Sequence, residues 1–135
     1  MSEYHEIDLK IRDLGLLLEA LRTVFGPAAV EAGENLPLYG YEGTVRRRDA
    51  VARVDRRHIG PAANDLGVVP VREAPGRTRY DLVYSEYDIR VHSQHLARIK
   101  REYARLSVLK AARQQGYRAV EERRPDGTVV ISLRK

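Results

Sequence analysis

The sequence predicts an α+β fold, a mostly antiparallel sheet carrying two helices, and three observations lead to it. Ile7, Leu9 and Ile11 alternate with Asp8, Lys10 and Arg12, the period of a half-buried strand. Leu14, Leu17, Leu18, Leu21, Val24 and Phe25 then recur at three- and four-residue spacing, one apolar stripe of a helix. Near the other end, Tyr117 to Arg123 and Thr128 to Arg134 flank Arg124-Pro125-Asp126-Gly127, where Asp-Gly supplies the positive φ of a hairpin turn. Strands and helices in this order belong to the α+β class.

Between these landmarks the elements follow in turn. Asp13 stands where an N-cap belongs, able to accept from the free amides of the first helical turn. Gly26-Pro27 stops that helix, because proline cannot donate to it or continue it. Residues 28 to 32 read as a short second strand. Leu38 to Tyr41 and Ala50 to Val54 read as further strands, separated by Arg46-Arg47-Arg48-Asp49. The breakers in Gly60-Pro61-Ala62-Ala63-Asn64-Asp65 make a loop. Leu66 to Val71 is a strand in which Pro70 marks an edge or an end. Ala74-Pro75-Gly76 is a turn, and Tyr80, Leu82 and Tyr84 belong to a largely buried strand. Ser85 and Asp88 have the spacing of a capping box built on an aspartate. Leu96, Ile99, Tyr103, Leu106 and Leu109 stripe a second helix, expected from about Asp88 to Gln115 and closed by Gly116. Such a helix measures on the order of 40 Å at ~1.5 Å per residue. In the last strand Val129, Ile131 and Leu133 are expected on one face and Thr128, Val130 and Ser132 on the other. Both ends therefore share the order strand, helix, strand, strand, as a duplicated unit would, with both helices on one face of the sheet.

A chain of 135 residues fits a single domain able to close a core without disulfides or metals. There is no cysteine, which excludes a disulfide framework and thiolate chemistry. No apolar run approaches the ~20 residues that span a bilayer. The start, Met1-Ser2-Glu3-Tyr4-His5-Glu6, is acidic and lacks the apolar stretch of a signal peptide, so a cytoplasmic protein is expected. The net charge is +5 and arginine far outnumbers lysine, which admits nucleic acid as a partner.

The candidate functional residues lie between Gly33 and Gly67. Tyr39 and Tyr41 flank Gly40, so a strand there would point both rings to one side; with Asn35 they are candidates for a partner-binding surface, tyrosine being enriched at interface hot spots. His58, Asn64 and Asp65 extend that surface along a glycine-bounded loop. His58 and Asp65 are also the candidate acid–base pair of an enzyme, since imidazole titrates near neutrality. Asn and Asp equally shape turns, and no serine or cysteine nucleophile stands close by. Arg46, Arg47, Arg48, Arg53, Arg56 and Arg57 form the densest basic patch, a candidate track for a phosphate backbone or else a solvated strand edge. The glycines match neither a dinucleotide nor a phosphate-loop motif, so no cofactor is expected. His5, His58, His92 and His95 lack metal-ligand spacing, so no metal is expected either; His92 and His95 are three apart and able to share a helix face.

With these residues in view, the chain resembles an uncharacterised family of algal plastids, cyanobacteria and other bacteria, known as hypothetical chloroplast reading frame thirty-five. The likeness runs through the first strand and capped helix, Glu31-Ala32-Gly33-Glu34-Asn35-Leu36, Leu38-Tyr39-Gly40-Tyr41 and His58-Ile59-Gly60. It continues through Asn64-Asp65-Leu66-Gly67, Tyr87-Asp88, Arg98-Ile99-Lys100-Arg101-Glu102-Tyr103 and the closing hairpin. Val69 to Tyr80 departs most, with an inserted-looking Pro75-Gly76-Arg77-Thr78-Arg79. The resemblance implies a small soluble domain without established catalytic residues. Because bacterial members are encoded near ring-forming, mechanochemical ATPases, it also implies an accessory or adaptor role with such an ATPase as protein partner. A nucleic-acid-binding module and an enzyme are the alternative expectations.

Overall fold

The computed structural model describes residues 3–135; Met1 and Ser2 of the acidic start lie outside them. The fold is α+β, and the chain divides into two compact units, one ending at Tyr103 and the other running from Ala104 to Lys135.

In the first unit, β1 (Tyr4–Ile11), β2 (Val30–Tyr39), β3 (Val45–Val54), β4 (Leu66–Ala74) and β5 (Arg77–Ser85) form an antiparallel sheet in the order β1-β5-β4-β3-β2. Helix α1 (Leu14–Phe25) begins where expected: the Asp13 carboxylate accepts from the Leu16 amide at 3.1 Å. It ends at Gly26, whose φ of +99° is one that glycine adopts without strain. Leu17 and Leu21 of α1 pack on Ala52, Val54, Leu66, Val68, Leu82 and Tyr84, together with Ile59 and Ala63 of the loop after β3 and Ile99 of the second long helix. That is the principal core. On the sheet's other face, Leu38, Ala50, Val69 and Val83 form a smaller one, with Tyr4 and Leu36 against it.

The smaller core exists because the sheet rolls. β2 loses register with β3 between Ala32 and Leu36, and again on both sides of Leu38. The first slip places two extra residues in β2, and each of the two beside Leu38 places one in β3; such insertions bend the paired strands. The first bulge holds Asn35 at φ +50°, a left-handed conformation that asparagine tolerates better than most residues. The bend carries the β2–β3 hairpin back toward β1. Tyr4 of β1 donates its hydroxyl to the Asp65 carbonyl at 2.8 Å and lies 3.4 Å from that of Tyr39. Arg46 of β3 stands over the Tyr4 ring, and Arg47 reaches Glu6 at 2.8 Å.

Several expectations need correction. Residues 27–29 form a 3-10 turn rather than the start of a strand, and β2 runs on to Tyr39. Arg46, Arg47, Arg48 and Asp49 lie within β3 and do not separate two strands. β4 continues past Pro70 to Ala74, and its pairing with β3 is confined to Leu66–Val68, so Pro70, paired with Tyr80 of β5, marks an edge stretch and not an end. The second helix is two: α2 (Glu86–Val91) and α3 (Gln94–Gln114). No proline or glycine breaks it. His92 leaves helical geometry at φ −120° and ψ 40°, and its carbonyl accepts from the Tyr84 hydroxyl at 2.7 Å.

The second unit holds the rest of α3 and a hairpin of β6 (Arg118–Arg123) and β7 (Val129–Arg134). Gly116, at φ +80°, ends α3, and the Tyr117 amide closes on the Ala112 carbonyl at 2.9 Å, as in a Schellman turn. Gly127 at φ +88° makes the hairpin turn, and Arg105 pairs with Glu121 at 2.7 Å. β6 and β7 pair only with each other, so the repeated element order does not build a second copy into the main sheet. Val129, Val130 and Ile131 are all half-buried and Leu133 is exposed, so burial on β7 does not follow the expected alternation.

Candidate functional site

The residues singled out between Gly33 and Gly67 converge on one junction, where the end of β2, the loop after β3 and the start of α2 meet. Asp65 is its centre. It is completely buried; its Oδ2 accepts from the Tyr39 amide and its Oδ1 from the Arg56 amide, each at 2.8 Å. The Asp65 amide in turn donates to the Tyr39 carbonyl at 2.9 Å. One side chain thus imitates a strand partner for Tyr39 and takes the first amide of the 3-10 turn Arg56–His58, whose N-cap is Asp55. Burial raises the Asp65 pKa, while the two amides and Arg53, whose Nη1 lies 3.7 Å away, oppose the rise.

Asn64, also buried, does the same work one residue earlier. Its Oδ1 accepts from the Tyr41 amide at 3.1 Å, and its Nδ2 donates to the Ser85 hydroxyl at 3.0 Å. Its backbone amide reaches Asp88 Oδ2 at 2.9 Å, and the Ser85 hydroxyl donates to the same oxygen at 2.7 Å. Ser85 therefore caps α2, accepting from the Asp88 amide at 3.1 Å, and bonds the loop as well.

The loop is held on its far side by histidines. His92 Nε2 lies 3.0 Å from the Pro61 carbonyl and His95 Nε2 lies 2.8 Å from the Ile59 carbonyl. A carbonyl only accepts, so each proton sits on Nε2. Both rings are buried, and the His92 ring crosses Gly60 so closely that a Cβ there would stand 2.4 Å from its Cε1. The two histidines do not share one continuous helix, yet they grip one loop.

The candidates separate accordingly. Tyr39, Gly40, Asn64 and Asp65 come together in the junction, Tyr39 half-buried beneath the Arg53 guanidinium, 5.5 Å from its ring centre. Tyr41 lies beyond the end of β2, so its ring does not follow that of Tyr39; it is 55 % exposed. Asn35 is exposed in its bulge, and His58 is exposed on the 3-10 turn. Among the described residues no hydrogen bond joins His58 to Asp65, whose two oxygens are already occupied by backbone amides.

Three arginines of the patch are engaged by carboxylates, though Arg57 among them stays exposed, as does Arg48. Arg47 pairs with Asp49 at 2.6 Å as well as with Glu6, and Arg53 with Glu31 at 2.6 Å. Arg57 pairs with Asp55 at 3.0 Å. The hydrogen bond from Arg57 holds the Asp55 carboxyl at about 2, below its ordinary 3.8. A lowered folded-state pKa contributes stability that is full above the ordinary value and lost as pH falls through the lowered one. Acid titration of stability is therefore expected to show a loss between pH 3.8 and about 2 that Asp55→Asn reduces. The effect is small, because such pairs are solvent-screened.

Ser85, Asp88, His92, His95 and Tyr4 belong to the junction and were not foreseen there. The Ser85–Asp88 spacing signalled a cap, but no local pattern signals that the same oxygens also bind a loop twenty residues upstream. Away from the junction's interior, Glu3, His5 and Glu86 bring ligating atoms within 4.8 Å of one another. No helix among the described residues is long and apolar enough to cross a membrane.

Comparison with known proteins found no match among curated proteins or solved structures. Residues 27–131, which include the whole junction apart from Tyr4, match a family described as protein of unknown function (DUF1257). The chain belongs to that family.

Proposed function

We propose that the protein is a non-catalytic interaction module whose contact surface is Tyr41 with the turn 40–44, flanked by the exposed part of the loop around His58. The observation that carries this reading is Tyr41 itself. A large aromatic is left 55 % exposed on a backbone pinned from beneath, its own amide bonded to buried Asn64. The turn is closed by the Gly40 amide on the Thr44 carbonyl at 2.9 Å. An anchor held in place before binding loses little entropy on docking, and tyrosine is a frequent hot spot. Asp65, the candidate acid, is engaged in holding two amides, which favours binding over catalysis. The ion pairs of Arg47, Arg53 and Arg57 leave less charge for a phosphate backbone, which favours a protein partner over nucleic acid. A ring-forming ATPase is the partner proposed, on the family resemblance.

Capture of the tagged chain from native lysate, with nuclease present, tests this. The wild type should retain an ATPase of that class. Tyr41→Ala should weaken the direct interaction at least about tenfold, some 1.4 kcal/mol. Arg48→Ala should leave it unchanged. Loss of every partner on nuclease treatment, or a Tyr41→Ala protein that binds like wild type, would overturn the reading.

A further inference from the structure

We infer that the β6–β7 hairpin of the second unit binds the phosphate backbone of nucleic acid. Charge is the first observation. Residues 104–135 carry eight of the chain's 24 lysines and arginines but three of its 19 acidic residues, a net +5; residues 1–103 are neutral. The whole basic excess of the protein is thus gathered in these 32 residues, and such asymmetry along a chain points to a polyanion. Two of the three acids there are engaged within the unit. Glu121 meets Arg105 at 2.7 Å, and Asp126 accepts from the Thr128 amide at 2.9 Å in the turn.

The register of the hairpin is the second observation. Arg118 of β6 pairs directly with Arg134 of β7. Like charges so placed oppose strand pairing. A phosphate set between them turns that repulsion into attraction, and the two guanidinium forks suit its oxygens. Both side chains lie on the face away from α3, because Glu121, on the opposite face, is the residue that meets Arg105. Exposed Val120 and Ser132 lie beside the pair on that face, and Arg123 and Arg124 stand exposed at the turn. Five residue steps separate the pair from the turn, roughly 17 Å at ~3.4 Å each, the rise of about five base-pair steps. Between the arginines the face offers valines and a serine, little that could read a base edge, so the contact is to the backbone. An anionic membrane fits less well, because that face carries no aromatic or long apolar side chain to enter a bilayer. The contact surface proposed above belongs to the first unit, so neither inference rests on the other.

Fluorescence anisotropy of the full chain with labelled RNA and DNA oligonucleotides is the test. Binding to either, or to both, supports the inference, and the tighter of the two names the source of the phosphate. Affinity should fall at least about tenfold between about 50 and 200 mM salt, as released counterions return. Arg118→Gln with Arg134→Gln, and separately Arg123→Gln with Arg124→Gln, should each lose at least about fivefold and flatten the salt dependence. The same charge removed from the first unit, by Arg48→Gln with Arg57→Gln, should change affinity less than about twofold. Glu122→Gln, which takes a carboxylate off the binding face, should strengthen binding. The Arg118–Arg134 double variant relieves a repulsion, so its thermal midpoint should not fall, and lost binding is then not lost folding. Binding indifferent to salt, an equal loss in the first-unit variant, or capture by anionic vesicles or an acidic peptide with none by nucleic acid would remove the inference.

Discussion

Asp65→Ala is expected to lower the unfolding free energy by about 3 kcal/mol or more. Both carboxylate oxygens are used by backbone amides, Tyr39 at 2.8 Å and Arg56 at 2.8 Å, in a place that water does not reach. Each buried donor left without an acceptor costs about 1–3 kcal/mol. Arg53 also loses the carboxylate 3.7 Å from its Nη1. Against this, the substitution removes a charge whose burial opposes folding, which keeps the net below the sum of the lost bonds. Asp65→Asn retains one acceptor and places an NH₂ against the other amide, so about half the loss is expected. Urea unfolding of the three proteins measures it, and a loss under 1 kcal/mol for the alanine variant would remove Asp65 as the anchor. The wild type carries a further signature. Because burial raises this carboxyl above its ordinary 3.8, the group's contribution is full below that value and falls as pH rises through the raised one. That slope is opposite in sign to that of Asp55 and should vanish in Asp65→Asn.

Gly67→Ala is the second large effect, about 2–4 kcal/mol of destabilisation. Gly67 lies in β4 and pairs with Arg53 on one side and Val83 on the other. Its φ is not the reason for glycine. The reason is Leu38, which the rolled β2 lays over it: a Cβ at residue 67 would stand 2.4 Å from one Leu38 methyl carbon and 2.8 Å from the other. Leu38 is fully buried and hemmed by Val69, Val83 and Ala50, so it cannot yield cheaply. Leu38→Ala alone should cost about 2–5 kcal/mol through the cavity it opens. The double variant should be more stable than the two losses predict by 1 kcal/mol or more, because the alanine methyl enters space that Leu38 vacates. Additive losses in that cycle would show that the two residues do not meet.

The legible parts of this fold were those written locally. β1, α1 with its Asp13 cap and Gly26 stop, the 75–76 turn and the Asp-Gly hairpin all follow from period, cap and turn chemistry within a few residues. β2 was legible only near its two ends, as the separate strands expected at 28–32 and at Leu38–Tyr41; the middle was not, because its bulges break the alternation of a strand and residues 31–35 are exposed on both faces. The second half of β3 was expected as Ala50–Val54, but its first half hid behind Arg46–Arg48, of which Arg47 is matched by Glu6 and Asp49 and Arg46 is laid over Tyr4. The interruption between α2 and α3 is a tertiary effect: the Tyr84 hydroxyl takes a carbonyl that a continuous helix would have used. Within the candidate site, Asn64 and Asp65 stood out by residue type, and the structure finds their partners in the interior. Glu86 is far in sequence from Glu3 and His5, so only strand register brings it beside them.

The register slips of β2 bear on how anything docks to this protein. β2 is an outer strand of the sheet, and a straight outer strand offers its free amides and carbonyls to any extended peptide. This one is bent at Asn35, lacks an amide at Pro37 and carries Glu31 and Glu34 on its exposed stretch. Strand addition, which reads backbone and tolerates many sequences, is thereby closed off along β2. Recognition there must proceed through side chains, and so it is selective from first contact.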